Sequence, residues 1–150
     1  MYCRIQREEL SRKGIKVTNQ LSEAVEGASL VIIALPLNDG TRSTLNRETI
    51  LRMSNDGSRI IVNVGRSEVA NEEQLITLVD EGQIEAYATD VVPREGAIWL
   101  RNEPTELTRR FVENGRVIVT PHEGDCSFES VQRMNREVKE MIKQILDEVT

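Results

Sequence analysis

His122 is the single histidine in 150 residues, and it follows directly on an apolar run, residues 116–120, and a proline. Arg66 stands in a comparable place, just past Ile60, Ile61, Val62 and the Val64-Gly65 pair. Glu95 comes shortly after a third such run, 86–90, which ends on Asp90. Each type has its own chemistry. A guanidinium grips a carboxylate through paired N–H donors, which an ammonium cannot reproduce. An imidazole gives or takes a proton near neutral pH, and a carboxylate bonded to it favours the cationic ring and fixes its orientation. Together they suit a small acid with a carbonyl or hydroxyl next to its carboxylate. Taken singly, each has a plainer reading: a surface Arg is usually an ion-pair partner, a lone His a cap, and a Glu in a polar loop solvated charge. Cys126 reads as packing, because no second histidine exists to activate it.

The elements that must position these residues follow from the hydrophobic pattern. β-branched or apolar runs at 15–18, 30–34, 60–64, 86–90 and 116–120 read as strands, and the run at 30–34, stopped by Pro36, reads as buried. Between them lie helical patterns at 7–13, closed by Gly14, at 22–26, at 46–53 and within 105–112. The helix after Arg66 opens at Asn71, an N-cap with Gln74 as its capping-box partner, and stops at Gly82. A long terminal helix, 128–149, carries Val131, Met134, Val138, Met141 and Ile145 at alternating spacings of three and four, which predicts one packed apolar face. Strands alternating with helices predict an α/β fold, a doubly wound parallel sheet with helices on both faces. In such a sheet ligands bind beyond the carboxyl ends of the strands. Pro36, Gly65-Arg66, Asp90 with Glu95, and Pro121-His122 all fall on that one edge.

Composition narrows the partners. The chain has the length of one domain, and 39% apolar with 29% charged residues describes a soluble globular protein. A net charge of −6 without clustered Lys and Arg argues against nucleic acid. The longest apolar run is far too short to span a bilayer. Cys3 and Cys126 lie outside any CxxC spacing, which fits a reducing, cytoplasmic setting and provides no metal set.

The segments LVIIALPLNDGTRSTLN, IIVNVGRSEVANEEQL, YATDVVPREG and VIVTPHEGD, in this order, resemble successive motifs of the D-isomer-specific 2-hydroxyacid dehydrogenases. The resemblance implies a partial Rossmann-like NAD(P)-binding domain over residues 1–150, taking NAD or NADP and a small 2-oxo or 2-hydroxy acid. It implies that Arg66 binds the substrate carboxylate and carbonyl, that His122 is the general acid/base with Glu95 as its partner, and that hydride passes between nicotinamide and the substrate C2. Asp90 matches the residue near the nicotinamide carboxamide, and Pro36 the turn along the cofactor ribose. Val64, Gly65, Arg66, His122 and Gly124 belong to the same implied cofactor surface. Arg4, with no acid beside it, stands where a 2′-phosphate would be read, which points to NADP. A homodimer is also implied.

Departures accompany the matches. Ser67 follows Arg66 where the family usually has Gly, Asp125 follows Gly124 where a second Gly is common, and the loop before the last strand lacks its leucine-rich segment. There is no G-x-G-x-x-G. The expected sheet is therefore incomplete, lacking its first strand, its Gly-rich loop and most of a substrate domain. The isolated chain is expected to be unstable, to self-associate, or to need the missing N-terminal region. Two further readings stay open, a non-catalytic interaction or nucleotide-sensing module, and an inert truncated product.

Overall fold

The computed structural model describes residues 8–93, 104–124 and 126–149. The expectations placed on Arg4 and on Glu95 lie outside the described residues. Four strands form one parallel sheet in the order β1 (Leu30–Ile33), β2 (Ile60–Asn63), β3 (Ala86–Thr89) and β4 (Val117–Val119). Their registers run straight across, Ile32 beside Val62, Val62 beside Ala88, and Ala88 beside Ile118. The segment 15–18, expected as a strand, forms only a single bridge residue, Thr18, and is not one of the four strands.

The helices are α1 (Glu8–Arg12), α2 (Leu21–Val25), α3 (Arg47–Leu51), α4 (Glu72–Asp80), α5 (Glu106–Glu113) and α6 (Phe128–Val149), with a 3₁₀ turn at Ser67–Val69. Local chemistry explains their starts. The side chains of Asn46, Asn71 and Thr105 each accept a hydrogen bond from the N–H three residues on, capping α3, α4 and α5. The capping box expected at α4 is only half formed. Gln74 does not reach back to Asn71; its Oε1 accepts from the Arg47 N–H at 2.9 Å, and the Asn71 N–H goes to the Leu45 carbonyl. Gln74 thus ties the start of α3 to α4. Gly82, with φ of 70°, ends α4 in the left-handed conformation that glycine adopts without strain.

The core lies on one side of the sheet. Leu75, Ile76, Leu78 and Val79 of α4 are fully buried, each contributing about 1.5–3 kcal/mol by leaving water. They join a cluster that includes Ile61 and Tyr87, whose ring meets Phe111 of α5 edge-on with centroids 5.7 Å apart.

The other side of the sheet is open, which corrects two expectations. Helices cover one face among the described residues, and the 30–34 run is buried only there. Leu30, Ile32, Ile60 and Ile118 point away from the core, with Ile32 at 62% and Ile118 at 66% exposure. The reason is topological. Every crossover steps to the next strand in the same direction, and right-handed crossovers in one direction lay their helices on one face. A third correction concerns α6. Its apolar residues do not pack; Met134, Val138, Met141 and Ile145 are all about half exposed or more. None of the described helices is long and apolar enough to cross a membrane. An apolar sheet face and an apolar helix stripe of this extent are adhesive surfaces. The 150-residue chain is expected to self-associate at micromolar concentration in sedimentation velocity, and a single monomer boundary across a concentration series would contradict this.

Candidate active site at the carboxyl ends of the strands

The loop that carries Arg66 is shaped by the residue ending β2. Asn63 is fully buried; its Oδ1 accepts from the Gly65 N–H at 3.0 Å and its Nδ2 donates to the Arg66 carbonyl at 3.1 Å. Both ends of a buried amide are thereby satisfied and the turn between them is held. Gly65 has a different role from the chain reversal its sequence position suggests. Its φ is not positive; a Cβ there would lie 2.7 Å from the Leu35 carbonyl oxygen. The β1 and β2 loops touch through this glycine, which leaves Arg66 exposed beyond them and donating to the Gly65 carbonyl at 2.8 Å. A Gly65→Ala variant is expected to lose about 1–3 kcal/mol by overpacking against backbone, read as a lower urea midpoint at unchanged slope.

The His122 loop is organised by Asp90. Its Oδ1 accepts from the Thr120 hydroxyl and from the Glu123 N–H at 3.1 Å, and its Oδ2 from the Gly124 N–H at 2.9 Å. His122 itself has φ of 56°, a left-handed conformation uncommon for residues with a side chain. The bonds to Asp90 on either side hold it there. Gly124 must lack a Cβ, which would approach Oδ2 to 2.8 Å. Burial works to raise the Asp90 carboxyl, but hydrogen bonds from Thr120, Gly124 and Glu123, with the charge of His122, outweigh it and hold the group below its ordinary value.

Arg66, Asp90 and His122 line one cavity of about 900 Å³, with Val64 and Gly124 on its wall. Pro36 stands on the same edge at the end of the β1 loop, where its carbonyl accepts from the Thr41 hydroxyl at 2.6 Å. The sequence-derived set is thus brought together for Arg66, Asp90 and His122. Ser130, Arg133, Met134 and Glu137 complete the cavity from α6, and none of them was expected there. Their signal is in the chain. They fall at i, i+3, i+4 and i+7, one face of a helix whose start lies six residues after His122. Ser130 joins this helix to the loop, donating to the Gly124 carbonyl at 3.3 Å.

A cavity at the carboxyl edge of a parallel sheet fits the nicotinamide half of a dinucleotide in place and size. Both acceptor directions of Asp90 Oδ1 are taken, which leaves one acceptor direction on Oδ2 facing the cavity.

Comparison with known proteins identifies the family and the fold. Residues 1–124 match the model of the D-isomer specific 2-hydroxyacid dehydrogenase NAD binding domain. The chain is 30% identical over 142 residues to D-3-phosphoglycerate dehydrogenase of Methanocaldococcus jannaschii, covering 95% of this chain and 25% of that protein. It is 34% identical over 116 residues to hydroxypyruvate reductase of Thermotoga maritima, covering 77% and 35%. The fold superposes on the NAD complex of the D-isomer specific 2-hydroxyacid dehydrogenase of Lactobacillus delbrueckii ssp. bulgaricus with TM-score 0.83 at 18% identity, over 97% of this chain and 44% of that one. The chain therefore spans about a quarter to a third of the length of these curated relatives. The cofactor of the domain is NAD. The match over residues 1–124 and the parallel sheet point to one family: the chain belongs to the D-isomer-specific 2-hydroxyacid dehydrogenases, as their NAD-binding domain.

Proposed function

We propose that this domain works in the reversible reduction of a small 2-oxo acid to a 2-hydroxy acid, with Arg66 gripping the substrate carboxylate and His122 moving the proton at the 2-oxygen. The observation that carries the reading is that Arg66 and His122, from loops far apart in sequence, share one cavity. Bound NAD(H) supplies or accepts the hydride. Arg66 orients the acid by two parallel N–H bonds, so its carbonyl faces the ring of His122. His122, in its cationic form, donates to the carbonyl oxygen and in the reverse direction takes the proton back. Glu95 is assigned by resemblance as its carboxylate partner, and Val64, Gly65, Pro36 and Gly124 as cofactor-facing residues. Glyoxylate, hydroxypyruvate and longer 2-oxo acids are the candidate substrates, and the names of the relatives above favour hydroxypyruvate and phosphoglycerate chemistry. By resemblance Arg4 favours NADP over NAD, a preference that comparable affinity for NADH and NADPH, unchanged in Arg4→Ala, would remove. The open sheet face and the α6 stripe are covered in the active species, as a homodimer or by further polypeptide, in a reducing, cytoplasmic setting.

The test is coenzyme oxidation with glyoxylate and hydroxypyruvate by the protein that carries this domain. Arg66→Lys keeps the charge and loses the bidentate fork, and should raise KM more than it lowers kcat. Turnover indifferent to Arg66→Lys and to Arg66→Met would count against the assignment.

A further inference from the structure

Arg133 lies on α6 beyond residue 124, where the family match ends, yet it lines the same cavity as Arg66 and His122. Its surroundings contain acids within helical reach, Glu129 one turn before and Glu137 one turn after. Neither pairs with it, and among the described residues the Arg133 side chain makes no ion pair or hydrogen bond. The other arginines near acids behave differently: Arg47, Arg52 and Arg110 all close salt bridges to Glu or Asp. The first guanidinium, Arg66, accounts for one carboxylate. A second guanidinium on another wall, with its N–H fork unspent, has donors for a second anion.

We propose that Arg133 is a second anion-binding residue of this site and that it selects 2-oxo and 2-hydroxy acids carrying a further carboxylate or phosphate at the end remote from C2. The inference rests on the reading of Arg66 as the carboxylate-binding residue and extends it to substrate class. Glu137, facing the same space from the next turn, disfavours an anion there unless Arg133 meets it directly. The pair therefore discriminates by position as well as by charge.

The experiment is calorimetric titration of the NAD-loaded protein with matched acids, 2-oxoglutarate against 2-oxovalerate and 3-phosphoglycerate against glycerate. The first pair tests a remote carboxylate and the second a remote phosphate. In one pair the dianion should bind about tenfold or more tightly than its partner, as expected of one added charge-assisted contact. Arg133→Met should bring that ratio close to one, and Arg133→Lys should restore part of it. The position is exposed on a helix and Met is a good helix former, so a melting curve matching the wild type separates lost recognition from lost fold. Equal affinity within both pairs, or a dianion preference that survives Arg133→Met, overturns the assignment while leaving Arg66 in place. Failure of every acid to bind, monoanions included, overturns the reading of the site itself and this inference with it.

Discussion

A His122→Asn variant loses about 10²–10⁴-fold in kcat for 2-oxo acid reduction, the usual contribution of a positioned proton donor. Asparagine is the informative replacement. It tolerates the left-handed conformation recorded at this position, φ of 56°, better than other residues with a side chain, so the loop keeps its path. What it cannot do is carry a proton near neutral pH. The reading is made by single-turnover coenzyme oxidation, which isolates the chemical step from product release. If His122 serves only as a turn residue, His122→Asn turns over at the wild-type rate, and the acid/base role is then wrong. No other histidine in the chain could compensate.

The second large effect belongs to Asp90, which would reach the proposed reaction through the loop it holds. Asp90→Ala removes the acceptor for the Thr120 hydroxyl and for two backbone N–H groups at once, and each unpaired group costs of order 1–3 kcal/mol where water cannot replace the bond. The site is partly open to solvent, so water takes up some of that loss. The expected outcome is modest loss of global stability with a fall in kcat of about tenfold or more, because the His122 conformation is no longer held. Asp90→Asn is more telling than it looks. One of its two atoms becomes a donor facing the donor of Glu123 or Gly124, so a near-isosteric change should also loosen the loop.

The pH dependence follows with a definite sign. The carboxyl of Asp90 lies below its ordinary value in the folded protein, so the unfolded chain takes up the proton first as the pH falls. Its contribution is complete above the ordinary carboxylate range, about pH 4, and is lost as the pH drops through the lower folded value. Amide exchange at Gly124 reports this directly. Protection should be flat from neutral pH down to that range, fall below it, and be absent at all pH values in Asp90→Ala. Protection of Gly124 in Asp90→Ala equal to the wild type would show that the loop is held by something else.

Much of the fold was legible in the chain because its signals are local. β-branched runs mark strands, and Asn46, Asn71 and Thr105 mark helix starts through bonds spanning three residues. The edge that carries the candidate site was legible for a similar reason: in a parallel sheet every residue just past a strand falls on one side, so Arg66, Asp90 and His122 could be grouped before any distance was known. Facing and partner choice were beyond such signals. The spacing of Val131, Met134, Val138 and Met141 determines that α6 has an apolar face, but whether anything covers that face depends on the path of the rest of the polypeptide. The same holds for Leu30 and Ile32, whose exposure results from crossovers that all turn to one side. Gln74, free by pattern to close a capping box, is drawn to α3 because a neighbouring N–H lacked an acceptor. Asp90 is the clearest case. Residue type marks it as an anion at a strand end; only the tertiary structure brings the 120–124 loop back over it, giving its carboxylate three donors and making it the anchor that sets the position of His122.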